Sequence, residues 1–348
     1  MPLQPLVGHA DARRRIAAAY RSGRLPQVVL LTGPQGIGRQ RLGLWIAQLL
    51  FCERPGDEPC GVCTPCRLVL GLVHPDLHWF VPIPRPKGDA DRQVEEAADA
   101  LAQIMTERRT ARLYGPVDGM ASHGMPSVRL LLRRAVLTPV QARVKLFLVA
   151  DAERLVPQES SPDAANALLK LLEEPPADTR IVLTAADPRR LLPTVRSRAV
   201  PLRLNRLSDA EVAEVLGRAA PEAEGAPGSV IGGANGAAAY EAAAAFLEAV
   251  ASGSGDRLER AIRQPAFAAR GEFTALLDAL AETLADAARL ASGVKPRRAL
   301  PKAVTTGRDP GALVGAMQRV AAAREAAAGN VNPQLLLAAL ADDLAEAL

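Results

Sequence analysis

Residues 28–40 read VVLLTGPQGIGRQ. The four apolar residues Val28 to Leu31 have the length and composition of a strand buried on both faces. The glycine-rich turn Gly33 to Gln40 leads into a helical pattern through Trp45 to Leu50. Strand, glycine loop and helix in this order are what a phosphate-binding loop requires, because backbone N–H groups at the helix start can cradle phosphate. Turnover further needs the pattern GxxxxGK followed by Ser or Thr, with the ammonium on the β/γ oxygens and the hydroxyl on Mg²⁺. Here Gly33 and Gly38 keep the spacing, with Gly36 between them in the loop, but Arg39 takes the place of the lysine and Gln40 that of the hydroxyl. No lysine precedes Lys87, and a planar guanidinium does not replace a compact ammonium wrapped over phosphates. The shape of the loop is expected without its chemistry, leaving open a residual anion site at the helix start.

On either side of this stretch, Asp11 to Tyr20 reads as an amphipathic helix, and His74 to Pro84 as an extended piece. Residues 86–126 form a polar, helix-interrupted insertion with a helix at Gln93 to Glu107. A helix over Val128 to Val136 leads to the apolar strand Lys145 to Ala150. Asp163 to Leu172 is helical, Arg180 to Thr184 a third strand and Pro201 to Leu204 a fourth. Alternating strands and helices predict a parallel sheet covered on both faces. The second strand should end in acids that hold Mg²⁺ and orient water. One such position is Ala150, and the remaining Asp151 and Glu153 read as a solvated strand end. Ala185 and Ala186 stand where a polar residue would sense the γ-phosphate, with Thr184 one step earlier. Beyond Asn205 the character changes: Ser208 and Glu211 form a capping box, Gly225 to Gly236 is a glycine-rich break, and the Ala- and Leu-rich remainder is helical.

Composition limits the function classes. The chain has 348 residues, enough for two or three domains with full cores, and a formal net charge of +4 with only five lysines among its 42 basic residues. A polycation is excluded, so any nucleic-acid contact is local. The 2 Trp, 3 Tyr and 6 Phe are too few and scattered for a base-stacking platform. No run of about 18 apolar residues spans a membrane, and the first residues do not form a signal peptide, so a cytoplasmic location is expected.

All four cysteines, Cys52, Cys60, Cys63 and Cys66, fall within fifteen residues. In a reducing compartment four thiolates at this spacing point to a closed, structural Zn²⁺ site. CxxCxxC also occurs around iron–sulfur clusters, and unligated or disulfide-bonded cysteines remain open. His74 and His78 are not needed as ligands and read as packing or capping residues.

Two further stretches, NALLKLLEEPP at Asn166 to Pro176 and LLPTVRSR at Leu191 to Arg198, join the glycine loop, the cysteine segment and the strand Lys145 to Ala150. Together they resemble the clamp-loader family of bacterial DNA polymerase III, within the AAA+ superfamily. The lysine-free loop is similar to the delta prime branch rather than the ATP-hydrolysing gamma/tau branch. The resemblance covers roughly residues 5–82 and 127–245, and insertion 86–126 has no counterpart in it.

The resemblance implies a RecA-like AAA+ α/β domain over 1–204 with an inserted zinc module at about 52–66, a small helical lid over 205–245 and an all-α collar over 246–348. It implies a hetero-pentameric ring with gamma/tau and delta subunits, which loads the sliding clamp on primer-template DNA during replication as part of a DNA-directed DNA polymerase, a nucleotidyltransferase assembly. ATP would sit on neighbouring subunits. In the family a serine-arginine-cysteine motif projects an arginine into the neighbour's ATP site; here it reads Ser197, Arg198 and Ala199. The lid stretch Gly232 to Tyr240 offers no arginine of its own. One alternative is an active gamma/tau-type ATPase with an atypical loop. Another is a zinc-dependent DNA-binding module, which the acidic, Pro- and Gly-rich segment Glu53 to Pro65 disfavours.

Overall fold

The computed structural model describes residues 3–86, 89–110, 121–155, 162–231, 233–253, 255, 259, 270–305, 307, 309–327 and 331–348. The chain divides into two compact units, Met1–Ile231 and Gly232–Leu348.

The first unit is built on a five-stranded sheet in the order β2-β3-β4-β1-β5, parallel throughout. The strands are β1 (Val28–Thr32), β2 (Leu77–Phe80), β3 (Lys145–Val149), β4 (Thr179–Ala185) and β5 (Val200–Arg203). Every residue of β1 and β3 is buried, as expected of central strands covered by helices on both faces. The piece His74 to Pro84, read as extended, contributes β2, which pairs in register with β3 from Leu77 opposite Leu146 to Phe80 opposite Val149.

Helices α1 (Ala10–Arg21), α2 (Arg39–Phe51), α3 (Thr64–Leu70), α4 (Ala90–Thr110), α5 (Met125–Ala135) and α6 (Asp163–Glu173) cover this sheet. In α2, Gly43 lets the helix press onto β3: a Cβ there would stand 2.5 Å from Leu148 Cδ1. Among the described residues of the insertion is the 21-residue helix α4. Its Val94, Ala97 and Leu101 are buried in the same core cluster as the sheet. Residues 87–88 and 111–120 of the insertion lie outside the described residues. A one-turn helix, α7 (Pro193–Arg196), precedes β5.

After β5, α8 (Asp209–Leu216) opens on the expected capping box, with Ser208 and Glu211 satisfying each other's backbone N–H groups. Leu207, Val212, Ala220 and Ala223 form a small core of their own. The stretch 205–245 thus contributes α8 to the first unit and the start of α9 (Gly233–Ser252) to the second. The second unit is helical as the composition indicated. Its α9, α10 (Arg270–Ala291), α11 (Pro310–Ala327) and α12 (Pro333–Ala347) enclose a core containing Phe246, Leu280, Leu313, Val320 and Leu344. Among the described residues no helix is long and apolar enough to cross a membrane.

Candidate functional site

The glycine loop lies between β1 and α2, with Gly33, Gly36 and Gly38 all at positive φ (141°, 80° and 99°). The loop is pinned from outside. The Gly36 carbonyl accepts from the Gly228 N–H at 2.8 Å, and a Cβ on Gly36 would stand 2.8 Å from Ser229 N. A Cβ on Gly33 would meet the Leu204 carbonyl oxygen at 2.6 Å. His9, itself left-handed with φ 54°, places Nε2 2.7 Å from the Ile37 carbonyl. Burial pushes the pKa of this imidazole below its ordinary value, with the Ile37 hydrogen bond opposing; the neutral ring donates from Nε2.

The two residues that replace the catalytic pair turn inward. Arg39 is 5% exposed, donates from Nη1 to the Gly33 carbonyl at 3.0 Å and places Nη2 3.6 Å from Asp151 Oδ1. Burial lowers the pKa of Arg39, and Asp151 and Glu153 counter it, so the guanidinium stays charged. Gln40 Nε2 donates to Asp151 Oδ2 at 3.4 Å. Asp151, at φ 49°, has its own N–H held by Thr184 Oγ1 at 3.0 Å.

The reading of Asp151 and Glu153 as a solvated strand end is corrected here. Glu153 is only 9% exposed and accepts from the Ala186 N–H at 2.7 Å. Desolvation raises its pKa above the usual carboxylate range, against that hydrogen bond. The acids are turned in because the chain leaves β3 in a tight 3-10 turn, Ala152–Leu155, under the end of β4.

Ser197 and Arg198 follow α7 on the way into β5. Ser197 Oγ donates to the Thr194 carbonyl at 3.1 Å, and Arg198 Nη1 donates to the same carbonyl at 2.8 Å. Arg198 Nη2 also pairs with the carboxylate of Glu173, at the end of α6. Ala199, at the position of the family motif's cysteine, is buried. Sequence reading found the arginine and missed its partner, because 25 residues separate the two.

The four cysteines converge. Cys52 follows the last turn of α2, Cys63 caps α3 and Cys66 lies within α3. Their four Sγ atoms all lie within 4.8 Å of one another, and Cys52 and Cys63 are 4.0 Å apart. Tetrahedral bonds of about 2.3 Å to Zn²⁺ would separate the sulfurs by roughly 3.8 Å, so the group fits a metal of that size. N–H groups of Cys60 and Cys63 point at the sulfurs of Cys52 and Cys60 at 3.3 and 3.4 Å. The N–H groups of Cys63 and Val62 lower the Cys60 pKa to about 6, whereas burial raises those of Cys52 and Cys66. The thiols are free rather than disulfide-bonded. Trp45 Nε1 donates to Glu58 at 2.7 Å, and Arg13 pairs with the same carboxylate at 3.0 Å, fastening the segment to α1 and α2. His74 is not a ligand: it stacks on Phe51 with ring centroids 4.3 Å apart. His78 likewise stacks on Phe147.

The family model described as "DNA polymerase III, delta subunit" matches residues 8–208, a span that runs from the first helix through the glycine loop and cysteine cluster to α8. The chain belongs to this family. Within the DNA polymerase III delta subunit family, it is 34% identical over 221 residues to "DNA polymerase III subunit delta'" of Pseudomonas aeruginosa, covering 63% of this chain and 52% of that protein. The delta' subunit of Escherichia coli is 30% identical over 185 residues, covering 53% and 44%. The chain is also similar to the gamma/tau subunit of Mycobacterium tuberculosis, 29% identical over 202 residues that cover 57% of this chain and 28% of that protein. It spans about half the length of the delta' relatives it matches.

Proposed function

We propose that this chain is a delta prime-type, non-hydrolysing subunit of the DNA polymerase III clamp loader, which helps load the sliding clamp on primed DNA. The observation that carries this reading is the Arg39 side chain: it lies within its own loop, bonded to Gly33 and paired with Asp151. In a working site the lysine at this position reaches the β/γ oxygens and the acid serves Mg²⁺. Here cation and acid neutralise each other, so neither is offered to nucleotide. Three regions, a RecA-like AAA+ domain over 1–204, a lid over 205–245 and a collar over 246–348, would join gamma/tau and delta subunits in a five-membered cytoplasmic ring that contacts the clamp and primer-template DNA.

In this ring Arg198 acts in trans. Presented beside Ser197, it would reach the ATP of the adjacent subunit and neutralise charge that develops on the transferring phosphoryl group, an effect typically worth about 10³–10⁵ in rate. The cysteine cluster, on this reading, holds a structural Zn²⁺: four thiolates close a tetrahedron and leave no position for water or substrate.

Reconstitution with the motor and delta subunits tests the proposal. Arg198→Ala should fold normally and lower DNA-stimulated ATP hydrolysis by at least about tenfold. Unchanged hydrolysis would remove Arg198 from the reaction. Tight Mg²⁺-ATP binding with turnover by the purified chain would instead favour the gamma/tau-type reading.

A further inference from the structure

The last turn of α4 carries Arg108, which is 5% exposed. Burying an arginine is costly unless its guanidinium is paired and hydrogen-bonded. Its Nη1 donates to Gln40 Oε1 at 3.3 Å, and its guanidinium lies 4.4 Å from the centroid of the Trp79 ring in β2. Gln40 passes the connection on to Asp151 Oδ2 at 3.4 Å, and Arg39 approaches the other carboxylate oxygen at 3.6 Å. A continuous row of side chains, Arg108, Gln40, Asp151 and Arg39, therefore runs across the end of β3 beside the glycine loop. Gln40 is the residue standing where a hydroxyl would bind Mg²⁺.

We infer that helix α4 is an internal plug of the degenerate nucleotide site, with Arg108, held over Trp79 and reaching position 40, placing its charge at the divalent-cation position. This rests on the reading that the loop does not turn over nucleotide, and extends it to a residue outside the loop. Mg²⁺ demands near-octahedral oxygen ligands and gives up water reluctantly. A guanidinium fixed by Trp79 beside position 40 repels a divalent ion at this short range in a poorly solvated site, and Asp151 is already engaged on both oxygens. Phosphate gains little from the two arginines, since both are buried and bonded to acceptors of the chain itself. The site is closed twice, once by the loop residues and once by the insertion. Restoring the loop alone therefore leaves it shut.

Mg²⁺-ATP binding to the purified full-length chain, measured by calorimetry, tests this. Wild type and Arg39→Lys/Gln40→Thr are expected to bind negligibly. Adding Arg108→Met to the double variant keeps an unbranched apolar stem over Trp79 and should tighten binding by about tenfold or more. A second triple variant with Arg108→Gln guards against misfolding of the first, and circular dichroism checks both. The inference is overturned if the double variant binds as tightly as the folded triple variants, or if both triple variants remain as silent as the double. Tight binding by wild type also overturns the inference, and only turnover of the bound nucleotide would overturn the non-hydrolysing reading as well.

Discussion

Glu173 and Arg198, from the two most distinctive motifs of the chain, form an ion pair. The carboxylate sits at the end of NALLKLLEEPP and the guanidinium at the end of LLPTVRSR. The arginine proposed to serve a neighbour is thus held within its own subunit, by Glu173 and by the Thr194 carbonyl.

Holding of this kind has a small thermodynamic weight, since the Glu173 side chain is 50% exposed and solvent screens the pair. Glu173→Gln should change stability by less than about 1 kcal/mol, a shift readable in thermal denaturation. In the reconstituted loader it should raise DNA-stimulated ATP hydrolysis, because Arg198 no longer leaves a partner to act. A fall would mean that Glu173 itself works at the subunit boundary.

Asp151 is a different case, because its partner Arg39 is buried. Asp151→Asn leaves that cation without its counter-charge, and breaking such pairs costs several kcal/mol when both groups are buried. With the Asp151 side chain 22% exposed, a loss of about 2 kcal/mol is expected. It should appear as a lower urea midpoint with an unchanged slope. No change in midpoint would mean the pair does not support the loop.

The histidines predict an acid limb. His123 is 2% exposed, and burial pushes its pKa down to about 4 while a hydrogen bond to the Ala150 carbonyl opposes this. Burial likewise lowers His78 to about 4. The unfolded chain takes up these protons near pH 6.5, so below that value it binds more protons than the folded chain. The contribution of His123 is therefore complete above about pH 6.5 and is lost as pH falls to about 4, at up to roughly 1.4 kcal/mol per pH unit. His123→Gln, which keeps a donor for Ala150, should flatten this limb in urea titrations at pH 7 and 4.5. Parallel losses in the two proteins would refute the assignment.

Metal analysis of freshly purified protein should find about one zinc per chain. Chelation should lower the melting temperature, and Cys66→Ser should reproduce that loss in metal-replete buffer. Cys66 is the diagnostic choice because it is fully buried. A chain without zinc whose melting is indifferent to chelator would leave the thiols as packing.

What could be read from sequence divides along physical lines. Val28 to Leu31 and Lys145 to Val149 were legible as strands because a central parallel strand is apolar on both faces. The edge strands Leu77–Phe80 and Val200–Arg203 carry half-buried or exposed residues, so one read only as extended. Ser208 and Glu211 were legible because capping is local. The loss of lysine and hydroxyl at positions 39 and 40 was plain, but what replaced them was not. Asp151 stands 111 residues from Gln40 and Arg108 stands 68 residues away, and no local pattern marks such partners. The four thiols were found because their spacing is short.

The glycines of the loop answer to the main chain that crosses them. Gly33 leaves room for the Leu204 carbonyl, and Gly36 for the backbone of Gly228 and Ser229. These demands come from the protein's own main chain and persist whether or not a phosphate ever arrives. A subunit can therefore shed the ligand and still be unable to shed the motif. In such a chain a glycine signature records how tightly two backbones cross, and only positions 39 and 40 report on chemistry.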